Sequence, residues 1–272
     1  RYLAPTNDPT SPYYVDADSI DTDWQDEGLK NGFRQNHNIS LTGGSKYTNY
    51  GFSVDYFTQE GTFVGNGPTY DRYSVRVNTD TQKGIFKIGQ SFYYAHSHEN
   101  SLTYRDDLFL GGRPPLIGDM VTAIPTLPVY DPSRLGGYSG TETFKEDEII
   151  LNAIGVNNLI KNWIDVDRIF LNMYAGADVL KKNGHNLEYK FNVGLDRTIT
   201  RDYSFVQPYD LGYFFPNPDA RLSDGSRIYN TLLVENTLNY NTTIGKLKIE
   251  ALAGQAFQEF TVVSRGAYTE LN

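Results

Sequence analysis

Eight segments of this chain alternate apolar and polar residues, and the connections between them alternate short and long. The stretch "SKYTNYGFSVDYFTQEGTF" (45–63) shows the pattern. Tyr50, Phe52, Val54 and Tyr56 take one face, and Gly51, Ser53 and Asp55 the other. Period-two alternation places successive side chains on opposite faces of a strand. The segments fall at about 34–43, 48–59, 70–79, 84–96, 164–180, 187–197, 227–240 and 245–260. Charged residues keep to the polar face: Arg72, Arg76, Lys87, Glu188, Lys190, Asp196, Lys248 and Glu250.

The joins "GSKY", "TDTQK", "KKNGHN" and "NTTI" read as hairpin turns. "EGTFVGNGPT" is a moderate connection, and 97–163 and 198–226 are long ones. In an antiparallel sheet alternate connections share an end, so every short turn lies at one end and every long loop at the other. Outer-membrane barrels show this asymmetry, with short periplasmic turns and longer extracellular loops. A soluble β-sandwich is the plainer alternative. Its strands are shorter, near 5–6 residues, whereas a tilted membrane strand needs about 9–11.

Composition narrows the classes further. Net charge of −9 argues against a nucleic-acid partner, which needs a basic patch. With no cysteine, disulfides and Cys metal sites are excluded. No apolar run is long enough for a transmembrane helix, and this does not count against a barrel. Tyrosines number 21, and Tyr suits strand faces, water–lipid interfaces and binding loops.

"DTDWQDEGLKNGFRQNHNISLTGGSKYTNYGFSVDYFTQEGTF" (21–63) resembles the SusC/RagA-like TonB-dependent outer-membrane transporters of Bacteroidetes. The matching motifs are Asp23-Trp24, Gln35-Asn36-His37-Asn38, Gly43-Gly44-Ser45 and Gln59-Glu60-Gly61. "YDRYSVRVNTD" (70–80), "VYDPSRLGGYSG" (129–140), "NPDA" (217–220) and "NTLLVENTLNY…KLKIEALAGQAFQ" (230–258) are also similar, in order along the chain. The resemblance implies an all-β antiparallel transmembrane barrel segment, about eight strands of a larger 22-stranded barrel whose lumen is plugged. On this reading 1–32 is an outer loop, 97–163 and 198–226 are extracellular loops, and the plug domain is not in this chain.

The resemblance also implies a function and partners. These are TonB-dependent import of a bulky nutrient, an oligosaccharide or a peptide, with a SusD-like surface lipoprotein over the barrel. TonB–ExbB–ExbD would act through the absent plug, and the assembly would be a dimer of transporter–lipoprotein pairs in the lipid bilayer. A non-transporting barrel or adhesin that binds a surface partner is the alternative, and a soluble β-rich binding module is a third reading.

No nucleophile elbow, phosphate loop or distinct carboxylate pair appears, so no enzyme and no cofactor is expected. The acidic stretch "DADSIDTDWQDE" (16–27) has a loose likeness to a calcium loop but lacks its order, and reads as solvated. His96 and His98 share a strand face without a third ligand in view, and read as polar strand-end residues. Substrate or partner contacts are expected in three loops, at Tyr104, Arg105, Asp106, Asp107, Tyr130, Asp131, Tyr138, Tyr209, Asp210 and Tyr213. Aromatic rings stack on sugar faces, and carboxylates bind hydroxyls. The plainer reading is that these rings pack loop against loop. Trp24 and Trp163 read as interface anchors or as buried loop residues.

Overall fold

Eight strands form one antiparallel sheet in the computed structural model, which describes residues 9–11, 20–102, 116–141, 151–213 and 215–271. They are β1 (Arg34–Gly44), β2 (Thr48–Glu60), β3 (Thr69–Lys83), β4 (Phe86–Asn100), β5 (Ile160–Lys182), β6 (His185–Val206), β9 (Ala220–Ile244) and β10 (Leu247–Leu271). Two-residue strands β7 (Tyr209–Asp210) and β8 (Pro216–Asn217) pair with each other between β6 and β9. Three short helices, α1 (Trp24–Gly28), α2 (Leu116–Thr122) and α3 (Ala153–Leu159), lie outside the sheet. Each main strand pairs with its sequence neighbour, so the sheet is a pure meander.

The predicted segments all lie within these strands apart from one or two end residues, and the strands run longer. The turns are tighter than the joins read from the sequence. Asn183 and Gly184, both at positive φ, close β5–β6, the Asn-Gly pair that a type I′ turn demands. "TDTQK" is not the β3–β4 turn: Thr79–Lys83 belong to β3, and the turn is Gly84-Ile85. That stretch is polar on both faces, although Thr81 and Lys83 pair with the apolar-face residues Ile88 and Phe86 of β4. β6 and β9 extend into the stretch read as the 198–226 loop, leaving 207–219 between them.

The apolar face of this sheet is bare. Ile39, Leu41, Phe52, Val54, Phe86, Ile88, Met173, Leu238 and Phe257 share it, and each is more than a third exposed. A sandwich would bury them at about 25 cal/mol per Å². Here the buried apolar cluster lies elsewhere, among the loops and strand ends. The alternation loosens on β10, where Leu252, Phe260 and Val262 fall on the polar face.

The upper edge of the apolar band runs obliquely. It stands at Tyr56 and Tyr73 on β2 and β3, and one same-face row nearer the turns at Tyr94 and Ile169 on β4 and β5. It drops another row to Leu195 and Leu232 on β6 and β9, and another to Phe257 on β10. Ile199, Phe205, Leu222, Ile228 and Val263 are apolar residues above that edge, and Thr79, Thr81, Gln90, Asn236 and Gln255 are polar ones inside the band. One row is two residues, about 6.6 Å, and two strands are about 9.6 Å apart. The ratio gives a strand tilt of about 35°, the tilt of a membrane barrel wall. A level apolar band crossing tilted strands produces this staircase.

The polar face carries most of the lining of a concavity of about 660 Å³, including Thr42, Asn49, Gly51, Asn78, Ser91 and Tyr174. Charged pairs tie neighbouring strands on this face, and one reaches across β5 from β4 to β6. Arg72 meets Asp55 at 3.1 Å, Arg168 meets Asp196 at 2.8 Å, and Lys87 meets both Asp178 and Glu188 at 3.0 Å. Such pairs suit a wall between lipid and a wet lumen.

In the full-length protein, Val54→Arg on the apolar face should lower stability to urea by about 2–4 kcal/mol. Ser53→Arg on the opposite face should cost less than half of that. Equal losses at both positions would mean that both faces meet the same medium.

Candidate functional site

The long connections converge on one cap at the end of the sheet opposite the tight turns. Its buried cluster draws Trp24 from the segment before β1, and Phe63 from the β2–β3 loop. Leu116, Met120, Leu151, Ile154 and Val156 come from the β4–β5 excursion, and Tyr209, Leu211 and Phe215 from the β6–β9 connection. Four chain segments that are remote in sequence thus share one core.

Two fully buried amides hold these segments in register. Asn152 caps α3 by accepting from Gly155 N–H at 2.9 Å, and donates to the carbonyls of Val129 (2.8 Å) and Ser139 (3.2 Å). Asn157 donates to the carbonyls of Val64 (2.8 Å) and Gly67 (3.0 Å), clamping the β2–β3 loop. Buried loop carbonyls need partners, and these side chains supply them. The sequence reading missed both. Their one signal is the set of three asparagines inside the apolar run "LNAIGVNNLI" (151–160).

The two tryptophans separate into different roles. Trp24 is buried and donates its indole N–H to the Ile124 carbonyl at 2.9 Å. Trp163 stacks on Tyr203 at 5.0 Å on the apolar-face register near the outer ends of β5 and β6. His96 and His98 lie on the same register of β4, paired with Asp167 (2.9 Å) and Asp165 (2.7 Å). With Tyr56 and Tyr73, stacked at 4.8 Å, they form a polar–aromatic girdle at the upper edge of the apolar band. No group of three or more His, Asp or Glu side chains converges on a metal position among the described residues.

Of the expected contact residues, Tyr104, Arg105, Asp106 and Asp107 lie outside the described residues. The other six are brought together. Tyr130 and Tyr138 face each other across a β-bridge, rings 5.3 Å apart. Asp131 accepts from the Ser133 hydroxyl (2.6 Å) and N–H (3.0 Å) and meets Arg134 at 3.4 Å. Those hydrogen bonds from Ser133, with Arg134 beside them, hold the Asp131 carboxyl below its ordinary range. Arg134 reaches across to Asp210 at 3.2 Å, and Asp210 accepts from Gly212 N–H at 3.0 Å. Tyr209 is buried in the cap core, and burial, with Tyr130 alongside, pushes the Tyr138 hydroxyl up. The two carboxylates and Tyr209 therefore brace the loops, whereas Tyr130 and Tyr213 show their rings at the surface. Ile117, Val121 and Leu135 are exposed on the same cap.

Comparison with known proteins adds the context. No family model matches the chain. TonB-dependent receptor P3 of Formosa agariphila is 24% identical over 91% of this chain, and TonB-dependent receptor P26 of the same organism is 24% identical over 87%. The RagAB peptide importer in its closed-closed state superposes with a TM-score of 0.71 over 92% of the chain, at 21% identity. A second RagAB peptide transporter structure gives 0.68 over 97%. The chain resembles the barrel wall of SusC/RagA-like TonB-dependent transporters in sequence and in fold. Its strands are those of an outer-membrane barrel, and the resemblance read from residues 21–63 holds along nearly the whole chain. The chain spans about a quarter of the length of these relatives: 23% and 22% of the two receptors, and 27% of the first structure.

Asn157→Ala leaves two buried loop carbonyls without their donor, so it should cost the cap about 1–3 kcal/mol. Limited proteolysis of the full-length protein should then cut first in the β2–β3 loop. An unchanged digestion pattern would mean that the clamp is not needed.

Proposed function

We propose that this chain supplies barrel wall and substrate-facing loops to an outer-membrane TonB-dependent importer of a bulky nutrient, an oligosaccharide or a peptide. The observation that carries the reading is the two-sided division of the molecule. A bare apolar band follows the level of a membrane across tilted strands, and every long connection folds into one cap at a single end. The relatives' names point the same way, to TonB-dependent receptors and to a peptide importer.

On this reading the cap meets the incoming nutrient and a SusD-like lipoprotein above it, and the polar face lines the lumen around a plug carried elsewhere in the protein. Tyr130, Tyr213 and the apolar residues Ile117, Val121 and Leu135 are the groups offered at that surface. TonB–ExbB–ExbD would supply force through the plug, and pairs of transporter and lipoprotein would form the dimer. No residue of this chain is assigned a chemical step.

The test is uptake by cells with and without the gene for the intact protein. Labelled peptide and oligosaccharide mixtures are supplied with the proton gradient intact or collapsed by an uncoupler. The proposal expects accumulation of one class, lost on deletion and lost on uncoupling. Uptake indifferent to both treatments, with surface attachment lost on deletion, would favour the adhesin reading instead.

A further inference from the structure

The lumen-facing side of β1–β5 carries four arginines on successive rows. Arg34 shares its row with Tyr70, Arg72 with Phe57, Arg168 with Ser74, and Arg76 with Ser53 and Tyr93. The rows are about 6.6 Å apart, so the series runs about 20 Å inward from the outer rim. Two of the four are neutralised in place, Arg72 by Asp55 and Arg168 by Asp196. The other two are not. Among the described residues, Arg34 and Arg76 have no carboxylate within ion-pair reach. They lie instead over aromatic rings, Arg34 at 5.1 Å from the centre of Phe57 and Arg76 at 5.2 Å from that of Tyr93. Glu99 shares the row of Arg34 but stands three strands away, where it accepts from Ser101.

A guanidinium resting on a ring keeps its N–H fork directed for a planar anion, and no described residue of this chain covers either arginine. In a chain of net charge −9, two uncompensated cations on the concave wall are a local reversal of sign. We propose that this wall holds an acidic peptide, whose carboxylates pair with Arg34 and Arg76. The inference rests on the import reading above and narrows its substrate.

Two features favour a peptide over an acidic sugar. Ring faces of Phe57 and Tyr93, on which a sugar would stack beside these arginines, are taken by guanidinium groups, since Arg72 also lies 5.8 Å from the centre of Phe57. Arg34 and Arg76 stand three rows apart, which matches side chains six residues apart on one face of an extended peptide.

The test uses the intact purified transporter and three probes: an Asp/Glu-rich peptide, its Gln/Ser analogue of equal length, and an oligogalacturonate. Binding is measured for the wild type, for Arg34→Gln/Arg76→Gln and for Arg34→Lys/Arg76→Lys. The proposal expects the Gln variant to bind the acidic peptide about tenfold or more weaker, with the neutral peptide within twofold. The Lys variant should recover part of the loss, and added salt should weaken the wild type toward the Gln variant. Equal losses for both peptides would assign the arginines to holding the wall or the plug and overturn the proposal, and so would no loss for either. Arginine-dependent binding of the oligogalacturonate alone would also overturn it. If the wild type binds none of the probes and the cells import no peptide or oligosaccharide, the import reading itself has failed.

Discussion

Hydrocarbon offers no partner to a backbone amide or carbonyl, and the rest of this structure follows from that. A segment that crosses lipid must find every hydrogen bond within protein, which leaves helices and closed sheets. No helix among the described residues is long and apolar enough to cross. Between neighbours the eight strands meet the requirement by ladders that run from β1 to β10 with one irregularity, at Val179; among the described residues the outer edges of β1 and β10 are unpaired. Tight turns suffice at one end because consecutive strands are antiparallel neighbours. The long connections at the other end are then free to elaborate.

That freedom explains where the buried core lies. The wall needs no core, since one face meets lipid and the other a lumen. The cap stands in water, so it must bury apolar side chains to be ordered, and it does so with residues drawn from four remote segments. Asn152 and Asn157 are the polar counterpart of that burial. Loops folded inward carry carbonyls with them, and two amides satisfy four of these. The strands differ in height for a related reason. β1 and β2 have 11 and 13 residues, near the length that a tilted membrane crossing needs, while β9 and β10 have 25 each. The excess stands above the membrane, beside the cap.

The wall was legible in the sequence because lipid on one side and water on the other impose period two. It became illegible where that difference ends. Ala220–Ser226 belong to β9 yet read as loop, because both faces of the strand meet water there and nothing enforces alternation. Thr79–Lys83 read as a turn because all five residues are polar, while the apolar side of their rows is supplied by Ile88 and Phe86 of β4. Within the cap, the aromatic and acidic loop residues were visible as candidates, but their division of labour was not. Asp131, Asp210 and Tyr209 brace the loops while Tyr130 and Tyr213 reach the surface, and that division depends on Arg134 reaching Asp210, 76 positions away. The unpaired state of Arg34 and Arg76 was equally hidden, since it depends on which strand faces which.

The central claim is that the greasy face meets lipid and the polar face meets water. It is tested most directly by cysteine scanning of β2 in the intact protein in bilayers. Phe52→Cys and Val54→Cys should be quenched by a lipid-borne quencher once labelled, and should react slowly with a charged aqueous reagent. Ser53→Cys and Asp55→Cys should show the reverse. Uniform aqueous reactivity along the strand, with no two-residue period, would contradict the account and return the sheet to a soluble fold.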